Sequence, residues 1–212
     1  MKVPGVTSIT ADVHKYAHVA KGVSTVIFKD AEIRKYHFYT TTFWCGGLYA
    51  SPSMTGSRSG GILASAWAAM ISMGEDGFMK SARRCQDTFD EVVKGINDMD
   101  GVEIVGSPDA CCLPFRTTAA DSLMVADALE ARGWKNFNRM QKPICMNLQL
   151  GDRTDFDVQA WLGDLKACIE EVKGNPGSSE GMASVYMTGF TLTADSGILK
   201  PVLRAYMNAL YS

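Results

Sequence analysis

The sequence predicts an α/β protein in two parts. Residues 1–100 form the end of an α/β sheet domain with a long connecting helix, and residues 101–212 form a smaller α+β domain. Two runs rich in β-branched and aromatic residues, at 6–9 and 23–28, predict strands near the start of the chain. A helical pattern with apolar residues four and three apart follows them, and Gly101 ends it. Beyond that glycine the predicted elements are shorter, which indicates a second architecture.

The first part alternates strands, loops and helices. Its two opening strands flank a loop, residues 12–22, that is dense in ionisable groups. Residues 36–44 are aromatic and rich in threonine, and glycine, serine and proline dominate residues 46–61. Residues 62–73 are small and apolar on all sides, which predicts a buried helix. A long helix with one apolar face follows, and its apolar positions are Phe78, Ala82, Cys85, Phe89, Val92, Ile96 and Met99.

The second part is predicted to contain three strands and three helices. The strands lie at residues 102–105, 111–115 and 144–150, and a helix covers residues 121–132. A second helix ends at Gly174, and its apolar positions are Val158, Trp161, Leu162, Leu165, Ile169 and Val172. The apolar positions of a final helix are Ile198, Leu199, Val202, Leu203 and Tyr206.

Composition narrows the possible function classes. Hydrophobic residues make up 46% of the 212 residues, and 21 Lys and Arg against 23 Asp and Glu leave a net charge of −2. This balance is typical of a globular protein and argues against nucleic-acid binding. The longest nearly apolar run is shorter than the roughly 20 residues of a membrane span. The six cysteines show no metal-binding spacing, so we predict no metal site and expect reduced, mostly buried thiols in an intracellular protein.

Lys15 is the strongest catalytic candidate. It follows a predicted strand, and His14, His18 and Lys21 lie close to it in the sequence. A lysine near other cations, or partly desolvated, has a lowered pKa, and only the neutral amine can form a Schiff base with an aldehyde. The spacing alone is a weak signal and is more typical of an ordinary surface lysine.

A glycine-rich segment, residues 56–61 with the sequence Gly-Ser-Arg-Ser-Gly-Gly, leads directly into the predicted helix at 62–73. Glycines allow backbone N–H groups to converge, and the N-terminus of the following helix favours an anion. The segment therefore suggests a phosphate site. A tight turn with a helix N-cap is the alternative interpretation.

At this point the residues resemble a known family. Residues 7–16, Thr-Ser-Ile-Thr-Ala-Asp-Val-His-Lys-Tyr, followed by Lys21 and Gly22, resemble the cofactor-lysine segment of the sphingosine-1-phosphate lyase family. These enzymes depend on pyridoxal phosphate (PLP) and are related to the group II amino acid decarboxylases. The resemblance covers essentially the whole chain. Its further segments are 44–52, 56–61, 66–69 and 74–77, with weaker ones at 173–176, 181–186 and 210–212.

The resemblance implies the PLP-dependent transferase fold type I. The chain would comprise the end of the large sheet domain and the C-terminal α+β small domain, with the remainder of the large domain upstream. We therefore expect this chain to be the C-terminal portion of a longer assembly, whose upstream half belongs either to the same gene or to a partner chain.

The resemblance also implies roles for individual residues. Lys15 corresponds to the lysine that holds PLP as a Schiff base, and His14 to the residue beside the cofactor phosphate. Lys21 corresponds to a second lysine near the phosphate of the substrate. Gly56, Ser57 and Arg58 correspond to a loop of the family that, in a homodimer, reaches the cofactor phosphate of the neighbouring subunit. We assign Gly56 and Ser57 to the cofactor, and Arg58 to the substrate.

The activity implied is cleavage of the C2–C3 bond of a phosphorylated sphingoid base, in sphingolipid metabolism. The products would be a long-chain aldehyde and phosphoethanolamine. Two alternatives remain open: a PLP-dependent amino acid decarboxylase (a carboxy-lyase), and a non-catalytic dimerising fragment. The implied location is the cytoplasm or the cytosolic face of the endoplasmic reticulum, with membrane association only through an upstream segment.

The chain departs from the family pattern around the candidate site. Val13 replaces a threonine before His-Lys, Ala17 and His18 replace Gly-Tyr, and Ala20 replaces a proline. These changes keep the charges but alter packing and hydrogen-bond donors. The aspartate that pairs with the pyridine nitrogen belongs to the upstream half in the family, and we expect Asp12 to hold the loop instead.

Overall fold

The computed structural model describes residues 3–152, 155–175, 183 and 199–211. The chain divides into two compact units, residues 1–80 and residues 81–212. The predicted domain boundary at residue 100 stays a prediction.

The first unit contains two antiparallel hairpins. Strands β1 (Ser8–Ala11) and β2 (Thr25–Phe28) pair with each other, and a loop carrying the short helix α1 (Val13–Tyr16) joins them. After helix α2 (Ala31–Arg34), strands β3 (Tyr39–Trp44) and β4 (Gly47–Ser51) form the second hairpin.

The long helix α3 (Gly60–Asn97) covers both helices predicted between residues 62 and 99. Its helical geometry is interrupted at Gly74, where φ is 61° and ψ is 179°. Glycine adopts this positive φ without the steric cost that a side chain would add. The two predicted apolar patterns therefore meet at a break in the helix.

The first part of α3 is not a buried helix, so that prediction is wrong for this chain. Ala66 is 4% exposed, but Leu63, Trp67 and Ile71 are 49%, 64% and 65% exposed. A sequence that is apolar on all sides predicts burial only when neighbouring elements cover every side of the helix.

The second unit is a four-stranded antiparallel sheet with helices. Its elements are β5 (Val102–Ile104), β6 (Cys112–Thr117), α4 (Ser122–Ala131), β7 (Phe137–Gln141), β8 (Ile144–Gln149), α5 (Val158–Gly174) and α6 (Leu199–Leu210). The strand order in the sheet is β5-β6-β8-β7. Asp121 and Asp157 cap the first turns of α4 and α5 by accepting hydrogen bonds from backbone N–H groups.

One hydrophobic core holds this unit together. Phe115 of β6 and Trp161 of α5 are fully buried, and their rings meet edge to face at 5.7 Å. Val92 and Ile96, in the last turns of α3, are also fully buried in this cluster. All the apolar positions predicted for α5 therefore lie in or against this core, whereas for α3 only those from Phe89 onward do.

The remaining differences from prediction are local. Strands β4 and β7 were not expected, and the final helix begins at Leu199. Ile198 and the weaker family segment at 181–186, apart from Ala183, lie outside the described residues.

All six cysteines are free, as predicted, but only Cys145 and Cys168 are buried. In the described part of the chain, no group of three or more His, Cys, Asp or Glu side chains is arranged to hold a metal ion. Among the same residues, no helix is both long and apolar enough to cross a lipid bilayer.

Candidate active site

Lys15 lies in the short helix α1, immediately after strand β1. Asp12 occupies the N-cap position of α1, and the N–H of Ala17 closes the turn on the carbonyl of Val13. Val13 and Ala17 are buried, whereas Lys15 has a side chain that is 62% exposed. The apolar residues therefore fix the turn against the protein and leave the lysine accessible.

The buried side of this turn packs against α3. Val13, Ala17 and Val23 form a small apolar cluster with Ala66, and Ile62 packs against the cluster. Gly22, at φ 113°, lies beside Ile62, where an added Cβ would come within 3.5 Å of the Ile62 Cδ1. The loop between β1 and β2 is thereby fixed to the helix that follows the glycine-rich segment.

An ion pair orients the amine. The Lys15 Nζ lies 2.7 Å from the Asp12 Oδ2. The Asp12 Oδ1 accepts a hydrogen bond of 2.7 Å from the Ser24 hydroxyl. Asp12 makes no side-chain cap to its own helix and instead joins the lysine to the start of β2. It therefore holds the loop, as the sequence analysis expected.

This ion pair changes the charge state predicted for Lys15. The hydrogen bond and charge of Asp12 raise the pKa of Lys15 above its ordinary value. The hydrogen bonds from Lys15 and Ser24 lower the pKa of Asp12. The expectation of a lowered lysine pKa is therefore wrong for this structure, because an anion rather than a cation lies next to the amine and the side chain stays largely solvated.

His14 is oriented by the backbone of the same loop. Its Nδ1 lies 3.2 Å from the carbonyl oxygen of Val23. Because a carbonyl can only accept, Nδ1 donates to it in this arrangement, and this bond fixes the direction of the ring. The imidazole therefore presents one nitrogen to a ligand.

The other candidate residues lie in the same unit. Lys21 is exposed in the loop that carries Lys15, and its position next to Gly22 fixes it near the start of β2. Gly56, Ser57 and Arg58 are exposed in the irregular segment before α3, and the Arg58 guanidinium donates to the Thr55 hydroxyl. The loop that carries Lys15 and Lys21 is thus connected to α3 by packing, and residues 56–58 lead into α3 along the chain.

Ser24 is the site residue that the sequence analysis missed. Its hydroxyl donates to Asp12, so it fixes the carboxylate that pairs with Lys15. The available signal was its position at the start of the strand predicted at 23–28, which follows the loop that contains residue 12. A serine is common at strand ends, and for this reason the pattern alone does not single it out.

The side chains at this site are of the types that can bind pyridoxal phosphate. A primary amine that solvent can reach is the group that an aldehyde requires, and Lys15 supplies it. His14, Ser57, Arg58 and the backbone before α3 offer donors of the type that bind phosphate.

Curated proteins similar to this chain are sphingosine-1-phosphate lyases. The rice (Oryza sativa) enzyme is 38% identical over 208 residues, and the Arabidopsis thaliana enzyme is 37% identical over 214. These matches cover 98% and 99% of this chain. The chain corresponds to 38% of the length of each relative, in their C-terminal part. No family model matches the chain.

Solved structures agree on the fold. A sphingosine-1-phosphate lyase from Burkholderia pseudomallei aligns with a TM-score of 0.72 at 30% identity, covering 91% of this chain and 43% of that one. A Lactobacillus brevis glutamate decarboxylase aligns with a TM-score of 0.58 at 22% identity, over 79% of this chain and 41% of that one, which shows the fold alone. These neighbours confirm the predicted α/β class, with the end of a fold type I large domain followed by a small α+β domain. The agreement of sequence and structure over nearly every residue shows that this chain belongs to the sphingosine-1-phosphate lyase family.

Proposed function

We propose that this chain is the cofactor-lysine and C-terminal portion of a PLP-dependent lyase that cleaves phosphorylated sphingoid bases at the C2–C3 bond. The products are a long-chain aldehyde and phosphoethanolamine. One observation carries the proposal: the accessible Lys15 amine is held at the end of β1, within the segment that matches the family's cofactor lysine.

The residues of the chain have distinct tasks in this proposal. Bound PLP supplies an electron-withdrawing ring that stabilises charge on the amine-bearing carbon of the substrate. Lys15 provides the attachment point, while the His14 ring and the backbone N–H groups near Gly56 and Ser57 bind the cofactor phosphate. Lys21 and Arg58 hold the substrate phosphate, and this anchoring positions the scissile bond.

Asp12 governs the proton on Lys15. The ion pair raises the lysine pKa, so the amine is held as an ammonium ion with its direction fixed. Attack on an aldehyde requires the neutral amine, and the proton must therefore leave Nζ first. In this proposal the pair keeps the amine oriented in the free protein, at the cost of a slower reaction with aldehyde.

The proposal extends to assembly and location. We propose a homodimer in which the segment around Arg58 reaches the neighbouring subunit's cofactor. The six free thiols fit a reducing compartment. We propose the cytoplasm, or the cytosolic face of the endoplasmic reticulum, as its location.

Product analysis tests this function. The full chain, saturated with PLP, is incubated with a phosphorylated sphingoid base, and phosphoethanolamine and aldehyde are quantified. Lys15→Arg should abolish both products, because an arginine cannot provide the attaching amine. Lys29→Arg, at an exposed lysine of the same unit, is the matched control and should keep them.

Each other result identifies a different function. Carbon dioxide released from an amino acid, dependent on Lys15, would indicate the decarboxylase alternative. Neither product from the wild-type chain, together with self-association and no binding of PLP, would indicate the non-catalytic dimerising fragment.

A further inference from the structure

We propose that α6 is an interfacial helix that binds the surface of an anionic lipid bilayer. This binding does not depend on the proposed catalytic function. The family resemblance implies membrane association only through an upstream segment, whereas α6 indicates a second contact within this chain.

The first observation is an apolar face that lies open to solvent. Val202, Leu203, Tyr206 and Leu210 recur at the helical spacing of three and four residues. They are 57%, 59%, 60% and 60% exposed. Large side chains exposed in one contiguous stripe mark a surface that another phase or molecule covers.

The second observation is the charge of the opposite face. Lys200 and Arg204 lie one turn apart, and Asn208 continues the same face. Helix α6 contains no Asp or Glu, so it carries a formal charge of +2 in a chain whose net charge is −2. A cationic face beside an apolar face complements anionic headgroups over acyl chains.

The dimensions of α6 favour a position in the plane of the membrane. With 12 residues it is about 18 Å long, which is well short of the roughly 30 Å hydrocarbon core. Tyr206 and Tyr211 have rings of the kind that concentrate at the level of lipid headgroups. Lys200 and Arg204 can extend their charged ends to phosphate while their methylene stems stay near the apolar face. Pro201 lies in the first turn, where a missing N–H does not interrupt the helix.

Segment-resolved hydrogen exchange tests this binding on the full chain. Exchange of the α6 amides is measured by mass spectrometry with no vesicles, with phosphatidylcholine vesicles, and with vesicles containing about 30 mol% phosphatidylserine. We expect exchange within α6 to slow at least about tenfold with the anionic vesicles and to change little with the neutral ones. Because the readout belongs to one segment, vesicle contacts elsewhere in the chain do not affect it.

Charge variants provide the control. Lys200→Gln with Arg204→Gln should raise the lipid concentration needed for half-protection at least about tenfold. The reversed pair, Lys200→Arg with Arg204→Lys, should keep wild-type protection. Lys135→Gln with Lys166→Gln removes two exposed charges elsewhere in residues 81–212 and should also leave it unchanged.

Three results would overturn the proposal. The first is unchanged α6 exchange with anionic vesicles, and the second is equal slowing with both vesicle types. The third is α6 protection without vesicles that rises with protein concentration, because then a second copy of the chain covers the helix. Failure of the lyase assay would leave these outcomes unaffected, so the two proposals are judged separately.

Discussion

In residues 81–212, Phe115 is fully buried against Trp161, whereas in residues 1–80 Phe43 is 97% exposed on the β3–β4 hairpin. The same contrast holds for aliphatic side chains, since Leu113 is fully buried and Leu48 is 82% exposed. One unit closes a core of its own, and the other carries large apolar side chains on its surface.

The larger hydrophobic core and the candidate site thus lie in different units of the chain. The buried residues of the first unit include the small set Val13, Ala17, Val19, Val23 and Ala66, which fixes the Lys15 loop to α3. Its large apolar side chains form the kind of exposed surface that marks an interaction site. The second unit therefore holds the larger buried core, while the first carries the candidate site and an exposed apolar surface.

The largest expected effect comes from the same substitution in the two units. Phe115→Ala should lower the free energy of unfolding by about 3–5 kcal/mol, because it removes a fully buried ring and leaves a cavity. Phe43→Ala should change it by less than about 0.5 kcal/mol, because that ring contributes little buried area. Urea unfolding followed by fluorescence measures both. Similar losses from the two variants would show that the hairpin is part of a common core.

A second pair of substitutions compares the two halves of α3. Gly95→Ala should destabilise by about 1–2 kcal/mol, because the added Cβ would come within 2.2 Å of the Leu162 Cδ1 and force that side chain to move. Gly61→Ala, whose Cβ would meet only the Ser59 hydroxyl at 3.6 Å, should be neutral or stabilise by about 0.5 kcal/mol. Thermal unfolding of both variants checks the difference. Equal effects would contradict the closer packing of α3 at Gly95 than at Gly61.

The smallest of these expected effects concerns the candidate site, where a substitution changes the reactivity of one amine. Asp12→Asn removes the anion that raises the pKa of Lys15, so more of the neutral amine is present at a given pH near 8. We expect the rate of reductive alkylation at Lys15 to rise several-fold in this pH range, with no comparable change at Lys29. Mass spectrometry of labelled peptides gives both rates.

Ser24→Ala serves as the control for that experiment. It removes the hydroxyl that orients Asp12 but leaves the carboxylate charge in place. A rate increase as large as that of Asp12→Asn would attribute the effect to loop order rather than to the charge of Asp12.

Sequence patterns predicted the second unit more accurately than the first. The apolar spacing of α5 and its end at Gly174 are local signals, and the helix predicted at 121–132 agrees with α4 within one residue at each end. Strand β7 was not predicted, because Asn138 and Arg139 interrupt its apolar pattern. Strand β4 was not predicted, because Gly46 before it is typical of a turn.

The residues of the candidate site stay a prediction, whereas the structure corrects the charge state expected for Lys15. The motif identified Lys15, and the position of His14 followed from it. The pKa depends on which neighbour the amine reaches, and residue spacing does not distinguish Asp12, three positions before it, from Lys21, six positions after it. The exposure of Trp67 was missed for a similar reason, since periodicity describes a helix face but not what covers it.

The central claim is that Lys15 is the amine that captures pyridoxal phosphate. Borohydride reduction of the full chain with a stoichiometric amount of PLP, followed by peptide mapping, tests it most directly. The account predicts that the reduced phosphopyridoxyl label lies on the peptide containing Lys15, and that Lys15→Arg loses the label while Lys29→Arg keeps it. A label spread evenly over the lysines, or one that persists in Lys15→Arg, would contradict the account.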